Sequence, residues 1–429
     1  MNSIRKQCLL ATGAALALSA APAFAQDSTS EPPSTSTSAP ISPLVAALAP
    51  ASGNADYVDL EGSLGWSSNP FVRTINSKSS VFGRASARGV HAWSGERSAS
   101  AISAFVEGTT YFNEYDIRSI FSVNANTTYR VSETATVYGS AGVSGDLSGQ
   151  LSNRFLLVPP FVPDPSNPLP PTVQDPDLFS FNGRTYRLFG QGGMSFRTSA
   201  RSGIGISGGV TRAIFSNSTL NDYTTMFANG SYNLILSDRT NVGASLGLTR
   251  TQYKDSDDHS TIINPAVTMS TQLSESLSAQ AAVGVSFARV ERAGIESHST
   301  NLSLNASICR RSQTENLCGR VSRLSQTSAT TSLVTTNSVG IDWSKDLDAT
   351  QSIQLSASAV RYVLDDLVNP DEKSTYFRIA ASYSRMISQR MSGGVDVGAR
   401  SLKRTGLNAD TDTDITGTVF IRYRIGDLG

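Results

Sequence analysis

Apolar and polar residues alternate along most of this chain. Between Leu277 and Glu291, one set of alternate positions is apolar: Leu277, Ala279, Ala281, Val283, Val285 and Phe287. The intervening positions are small or polar: Ser278, Gln280, Ala282, Gly284, Ser286 and Ala288. A period of two predicts a β-strand with two different faces. This stretch is much longer than the roughly 5–6 residues of an ordinary strand.

The same alternation continues from Tyr57 to the end of the chain and never gives way to a helical period. It predicts about 18 strands, with about 16 as the alternative, and boundaries uncertain by about three residues. The predicted strands cover 57–67, 80–92, 97–112, 116–131, 134–148, 184–198, 202–215, 220–236, 240–254, 260–273, 277–291, 298–311, 316–328, 332–345, 351–364, 373–386, 391–404 and 412–426.

The connections between these strands fall into two classes that alternate along the chain. One class is tight and polar, as in "SGER", "SET", "SARS", "SDR", "SES", "SQTEN", "KDLDA" and "SQR". The other is longer, as in "NPFVRTINSK", "FNEYD", "SNSTLND", "DSDDH", "RAGIE", "LVNPDE" and "LNADTDTD". Outer-membrane β-barrels have short periplasmic turns and longer external loops in this order.

A transmembrane antiparallel up-and-down β-barrel explains both the length and the period of the strands. Lipid offers no hydrogen-bond partners to the backbone, so a sheet that spans a membrane must close on itself. The apolar residue of each pair then faces lipid and the polar residue faces a wet interior. Aromatic residues near strand ends are expected in the interfacial girdles: Trp66, Trp93, Tyr129, Tyr253, Trp343 and Tyr362.

The chain begins with features of an export signal. Arg5 and Lys6 precede an apolar stretch, and Ala23-Phe24-Ala25 is a small-x-small cleavage site. We therefore predict a cleaved signal peptide at 1–25, a flexible Ser/Thr/Pro-rich periplasmic segment at 26–55, and the barrel at 56–429. No run of 18 apolar residues follows the signal, which excludes a membrane helix.

Composition narrows the classes of partner. The 429 residues carry a formal net charge of zero, which gives no indication of nucleic-acid binding. Cys309 and Cys318 flank a polar hairpin turn, and a disulfide between them is expected in an oxidising compartment. Two cysteines without nearby histidines do not make a metal site, and we predict neither a metal nor a cofactor.

The inner wall is predicted to be rich in arginine. Strand parity assigns the candidate permeation residues Arg84, Arg88, Arg118, Arg130, Arg187, Arg197, Arg378, Arg400, Arg422 and Arg424 to the lumen, together with Arg311 and Arg320. Fewer carboxylates share this face: Asp59, Glu61, Glu107, Asp146, Asp342 and Asp396. Either these arginines pair with the carboxylates across strands, or the basic lumen favours anions or acidic sugars.

Several other segments leave alternatives open. The proline-rich stretch within 150–183 cannot extend the sheet, and it either folds inward as a plug or stands outside. The acidic clusters 255–258 and 410–414 are expected in solvated external loops, with divalent bridging to lipid phosphates as the alternative.

One catalytic motif also occurs in the sequence. Gly205-Ile206-Ser207-Gly208-Gly209 matches G-x-S-x-G by letter, but it lies in mid-strand rather than at a strand-to-helix elbow. An outer-membrane lipid hydrolase built on Ser207 is therefore a remote alternative, and we predict that the chain is not an enzyme.

The first strand and its exit, "YVDLEGSLGWSSNPF" (Tyr57–Phe71), resemble the opening of the β-barrel porin 2 family. Asn69 and Phe71 occupy the places of that family's Asn and bulky apolar residue, whereas Ser67 and Ser68 stand where acidic residues are common. The resemblance implies an outer-membrane barrel without a plug domain. Because some members are encoded with exopolysaccharide export machinery, it also implies such machinery as a partner.

These observations lead to one principal prediction of function. The chain is expected in the bacterial outer membrane, in contact with its lipids, as a channel that passes solutes or guides an acidic exopolysaccharide through the arginine-rich lumen. Small anions and acidic polysaccharide are the expected partners. A closed structural or adhesive barrel without transport is the alternative.

Overall fold

The structure is a computed structural model that describes residues 55–70, 72, 78–112, 117–146, 184–216, 221–254, 256–327, 333–365, 373–405 and 410–426. The predicted signal peptide, nearly all of the segment 26–55 and the proline-rich loop within 150–183 lie outside these residues. None of the described residues belongs to a helix long and apolar enough to cross a membrane.

The described chain forms 18 β-strands, as the alternation predicted. They are β1 (Ala55–Ser67), β2 (Ser80–Ser94), β3 (Ser98–Tyr111), β4 (Arg118–Arg130), β5 (Ala135–Asp146), β6 (Thr185–Arg197), β7 (Ser202–Phe215), β8 (Tyr223–Ser237), β9 (Thr240–Tyr253), β10 (His259–Gln272), β11 (Leu277–Arg292), β12 (Ile295–Arg311), β13 (Glu315–Thr327), β14 (Leu333–Asp346), β15 (Gln351–Asp365), β16 (Lys373–Ser388), β17 (Met391–Thr405) and β18 (Asp410–Ile425).

The strands form one closed antiparallel barrel. Each strand pairs with its neighbours in the chain, and β1 also pairs with β18, from Val58↔Ile425 to Ser67↔Thr416. Closure leaves neither terminal strand as an open sheet edge, as a sheet that crosses a membrane requires. The predicted fold class and strand number are confirmed.

The two ends of the barrel differ. We call the end that carries the short connections, such as those after β2, β4 and β6, the turn end. β1 begins at this end and β18 finishes there. The opposite end is the loop end. One prediction about it was wrong: the connection "RAGIE" is a two-residue turn, because β11 and β12 continue to Arg292 and from Ile295. Positive φ angles at Ala293 (50°) and Gly294 (76°) close this hairpin tightly.

Side chains stabilise the short connections at the turn end. In the connection between β14 and β15, Asp348 accepts hydrogen bonds from the Thr350 hydroxyl (2.8 Å), the Thr350 backbone N–H (2.7 Å) and the Gln351 amide (2.7 Å). These bonds, led by that of the Thr350 hydroxyl, lower the pKa of the Asp348 carboxyl because they favour its charged form.

The outer wall of the barrel is apolar. On β11, Val283 and Phe287 are 48% and 49% exposed, and exposed aliphatic side chains occupy the same face of the other strands, such as Leu64, Val267 and Ile421. The Cα register of neighbouring strands keeps this face continuous, since Phe287 lies opposite Ile263. An exposed apolar band this extensive is the property of a surface that contacts lipid.

Two of the predicted girdle residues face the other way. Trp66, Trp93, Tyr129 and Trp343 lie on the outer face by register. Tyr253 and Tyr362, in contrast, are only 5% and 4% exposed and lie on the inner face. Their parity is opposite to that of the outward Leu248 on β9 and Leu355 on β15, and a period of two fixes the face.

A disulfide joins β12 and β13 near the turn end. Cys309 and Cys318 are directly opposite in the ladder, with Cα atoms 4.1 Å apart, and their sulfur atoms are bonded.

Candidate permeation pathway

Register places every one of the predicted permeation arginines on the inner wall. On β2, for example, Arg84 and Arg88 have the parity opposite to that of the exposed Val81. The same holds on the other strands for Arg118, Arg130, Arg187, Arg197, Arg378, Arg400, Arg422 and Arg424. The structure thus gives the inward direction of these arginines, whereas their role in permeation stays a prediction.

Two of these arginines form ion pairs across the seam where β18 meets β1. Arg424 donates to both carboxylate oxygens of Asp59, at 2.6 and 2.8 Å. Arg422 donates through Nη2 and Nε to Oε2 of Glu61, at 2.8 and 3.3 Å. The Arg424 guanidinium also lies 4.5 Å from the ring centroid of Tyr57. These contacts connect the first strand to the last and hold the barrel closed.

Further inner-wall arginines pair with carboxylates on adjacent strands. Arg84 lies 3.4 Å from Glu107, and Arg320 contacts Asp342. Nearer the loop end, Arg404 lies 3.9 Å from Asp412. Cross-strand pairing therefore accounts for a substantial part of the inner-wall arginine, as one of the two sequence interpretations expects.

The remaining arginines do not all have such partners. Within the described residues, no ion pair is found for Arg88, Arg130 or Arg187, which lie on β2, β4 and β6. Arg187 is near the loop end, Arg88 near mid-strand and Arg130 at the turn end. Arg88 lies directly opposite Asp59 in the ladder, but Asp59 forms its ion pair with Arg424. Among the described residues, positive charge without an ion-pair partner thus occurs at three levels of the lumen. On the inner wall of the described strands, arginines also outnumber carboxylates.

Asp414 lies at the centre of a buried polar cluster on the inner wall. Its side chain is fully buried and accepts hydrogen bonds from Ser67 Oγ (2.6 Å), the Asn69 backbone N–H (2.9 Å) and Arg400 Nε (2.9 Å). Arg400 in turn donates from Nη2 to the carbonyl oxygen of Pro70, at 2.8 Å. The pair thus fixes the start of the β1–β2 connection against the inner wall, and we call it the Arg400–Asp414 latch.

The sequence interpretation missed this latch because it assigned 410–414 to an external loop. That assignment was wrong: Asp410 begins β18, and Asp412 and Asp414 are 6% and 0% exposed on its inner face. The signal was present, because "DTDTD" continues the alternation of β18 toward its start. The other acidic cluster, 255–258, does fall in the connection between β9 and β10.

An apolar cluster narrows the barrel at the loop end. Val72, from the β1–β2 connection, packs with Val334, Tyr362, Tyr376 and Leu402 on the inner faces of β14 to β17. None of the five is more than 6% exposed, and Val334 is fully buried. A residue of the connection can contact these strands only if it folds into the mouth. The β1–β2 connection is therefore a constriction element that the sequence did not reveal.

The loop end of the β13–β14 hairpin also folds inward. β12 and β13 pair only from Leu304↔Arg323 to Arg311↔Asn316, and beyond this point each pairs only with its other neighbour. Leu333, the first residue of β14, packs against Ile262 of β10 and Val290 of β11. The hairpin end has thus left the wall and lies across the inner face of β10 and β11. The loop within 150–183 lies outside the described residues, and its two alternatives, a plug or an external position, stay predictions.

The described residues do not bring a histidine near Ser207, and they do not form a group of metal ligands. Ser207 lies in the middle of β7, opposite Gly193 and Asn229. The histidines are on β2, β10 and β12, none of which neighbours β7. Among the described residues, no group of three or more His, Cys, Asp or Glu could hold a metal ion.

Comparison with known proteins gives architectural likenesses only. No protein-family profile matches the chain, and no curated protein matches it. Among solved structures, it is similar to the outer membrane protein OpdK from Pseudomonas aeruginosa, with 12% identity over 86% of this chain and 98% of that chain and a TM-score of 0.44. It is also similar to the FrpB iron transporter from Neisseria meningitidis, with 9% identity over 89% and 83% and a TM-score of 0.46. At identities this low, the solutes of these proteins cannot be assigned to this chain.

Proposed function

We propose that this protein is a porin-like outer-membrane channel that passes anionic solutes. The observation that carries the proposal is the division of one closed barrel into an apolar outer wall and a polar, arginine-bearing inner wall. An apolar outer wall is stable only in a bilayer, and closed barrels are the form in which sheets cross one. Short turns then face the periplasm and the loop end faces the exterior.

The preference for anions follows from the inner-wall arginines for which the described residues supply no ion pair. Arg88, Arg130 and Arg187 attract anions along the lumen, and the low-dielectric wall around them strengthens that attraction. Arginine also binds carboxylates and phosphates in a bidentate manner, which suits acidic sugars as well as small inorganic anions. Inner-face aromatics such as Phe105 and Tyr138 add flat surfaces for sugar rings.

The finer proposal is that the solutes include short acidic oligosaccharides. The narrowing at the loop end, formed by Val72 and the β13–β14 hairpin, favours a thin or flexible solute over a bulky one. Guidance of an acidic exopolysaccharide, with export machinery as a partner, is the extension of this proposal that the family resemblance implies.

Purified protein in planar bilayers tests the proposal. In a salt gradient, we expect ion conductance and a reversal potential that shows preference for anions. An oligogalacturonate added to one side is expected to block the current in a voltage-dependent manner, whereas a neutral oligosaccharide of equal length is not. Absence of conductance would refute the channel, and cation preference would refute the role of the arginines.

A closed structural barrel is the second candidate. The paired arginines and the Arg400–Asp414 latch favour it, because they fill part of the mouth with buried, bonded side chains. This alternative predicts a barrel that inserts stably into bilayers but carries no current.

A further inference from the structure

Within the bounds of the strands, lysine and arginine on the outer face lie on one side of the barrel only. Strands β7, β9, β11, β13, β15 and β17 each have a basic residue on the outer face, toward the loop end, where the apolar band finishes. We call this set the basic crescent: Arg212, Arg250, Arg289, Arg323, Arg361 and Lys403.

Strand parity fixes the outward direction of these residues. Arg250 follows the exposed Leu248 by two positions, Arg289 follows Phe287, and Arg323 follows Val321. Arg212 likewise follows the exposed Val210. Each of these four cations is therefore the next outward side chain above a lipid-facing apolar residue, whereas Arg361 follows Ala359 and Lys403 follows Ser401.

Register aligns the crescent into rows. Arg250 and Arg289 both lie opposite Thr261 of β10, one on each side. Arg323 and Arg361 both lie opposite Asn337 of β14.

The second row continues across β16. Arg361 and Lys403 both lie opposite Thr375. Neighbouring cations are thus two strands apart, at about 9–10 Å, and the residues between them are neutral hydrogen-bonding side chains. The row from Arg323 to Lys403 contains no carboxylate.

Protein carboxylates neutralise little of this charge. Arg289 forms an ion pair with Glu296, at 2.8 Å, and Arg323 donates to the amide oxygen of Asn337, at 2.9 Å. In the described part of the chain, no ion pair is found for Arg212, Arg250, Arg361 or Lys403, and all four are exposed.

The other side of the barrel provides a contrast. Within their bounds, strands β1 to β6 carry no lysine or arginine on the outer face, although the exposed Arg184 directly precedes β6. Their outward residues nearest the loop end are Trp66, Val81, Thr110, Ser119, Gly145 and Tyr186. A general preference for basic residues at a membrane surface would not confine them to β7–β17.

We propose that the basic crescent binds the phosphate groups of a phosphorylated glycolipid in the outer leaflet. The inference rests on the membrane placement given under the proposed function. A lipid supplies anionic phosphates at the level of the cations while its acyl chains cover the apolar band below, so both parts of this surface find a partner. Arginine guanidinium groups suit phosphate because they donate in pairs.

Native mass spectrometry of the full-length barrel in detergent tests this proposal. The probe is a bis-phosphorylated hexa-acyl glucosamine disaccharide, titrated in parallel with its dephosphorylated form. The variant carries Arg212→Gln, Arg250→Gln, Arg361→Gln and Lys403→Gln. The matched control carries Arg310→Gln, Lys345→Gln and Arg385→Gln, which remove outward cations at the turn end.

We expect the wild type and the control to bind the phosphorylated probe equally, and the crescent variant to bind it at least tenfold more weakly. The dephosphorylated probe should bind weakly to all three. Equal binding by the crescent variant would overturn the proposal. Displacement of the glycolipid by millimolar inorganic phosphate would also overturn it, since the site would then recognise free phosphate.

Conductance separates this inference from the proposed function. The crescent variant has an unchanged lumen and should conduct like the wild type in zwitterionic bilayers. If it conducts normally but its glycolipid binding is unchanged, only the crescent proposal fails. If the wild type does not insert into bilayers at all, the proposed function fails.

Discussion

Asp414 of β18 and Arg400 of β17 are cross-strand neighbours on the inner wall, with Nε and Nη2 of the arginine each 2.9 Å from Oδ2 of the aspartate. Through this pair, the end of β1 and the connection that follows it are fastened to the last two strands. The closure of the barrel and the shape of its mouth therefore depend on the same buried carboxylate.

Removal of that carboxylate should destabilise the barrel. Asp414→Ala leaves Arg400 buried without its charge partner and frees Ser67 and the Asn69 N–H. We expect a loss of about 3–5 kcal/mol in the free energy of unfolding, the usual cost of breaking a buried ion pair. Urea unfolding in lipid vesicles measures it.

The control for this variant is Asp396→Ala. Asp396 lies on the same wall and accepts a hydrogen bond from Ser382 at 2.6 Å. A loss of only about 1 kcal/mol is expected there, and equal losses in both variants would contradict the role of the latch.

The arginines without ion pairs should control ion selectivity. In the triple variant Arg88→Gln, Arg130→Gln and Arg187→Gln, three positive charges leave the lumen, and the anion-to-cation permeability ratio should fall toward one. Reversal potentials in a salt gradient report the ratio. Since these side chains form no ion pair with the described part of the chain, the urea midpoint should change little.

A charge-balanced double variant provides the comparison. Glu61→Gln with Arg422→Gln removes one charge of each sign from the seam, so the net charge of the lumen is unchanged. Its selectivity should match that of the wild type. A shift as large as that of the triple variant would show that local geometry, and not net charge, sets the preference.

Adjacent residues of one strand should differ in access to water. On β11, Gln280 faces the lumen and Ala281 faces outward. We expect Gln280→Cys to react with a membrane-impermeant charged maleimide in liposomes and Ala281→Cys to remain unlabelled. Both should react after unfolding in detergent and urea. Reversed labelling would show that the two walls have been assigned the wrong way round.

The disulfide should contribute modestly to stability. Cys309 and Cys318 close a short loop, and the chain-entropy relation gives about 2–3 kcal/mol for it. Reductant should lower the urea midpoint of the wild type to that of the double variant Cys309→Ser with Cys318→Ser. The double variant itself should not respond to reductant, and a wild type that is equally unresponsive would contradict the contribution.

The apolar contacts of the mouth should limit its opening. Val334→Ser places a hydroxyl in the cluster of Val72, Tyr362, Tyr376 and Leu402, which weakens the attachment of both constriction elements. Larger or more variable single-channel conductance is expected. Ser338→Ala, on the same face of β14 but outside the cluster, should behave like the wild type.

The sequence by itself determined the approximate number of strands, their approximate ends and the face of most residues within them. These properties are local: a period of two assigns every side chain to one wall or the other, and polar turn residues separate the strands. The alternation in "LSAQAAVGVSFARVE" was enough to place Gln280 inside and Phe287 outside.

Only the tertiary structure decided which inner charges neutralise one another. Asp59 and Arg424 are separated by almost the whole chain, and their pairing depends on the register with which β18 closes on β1. The inward fold of Val72 and Leu333 likewise depends on contacts with strands distant in sequence. Periodicity reports the direction of a side chain but not its partner, because partners are chosen by register and closure of the whole sheet.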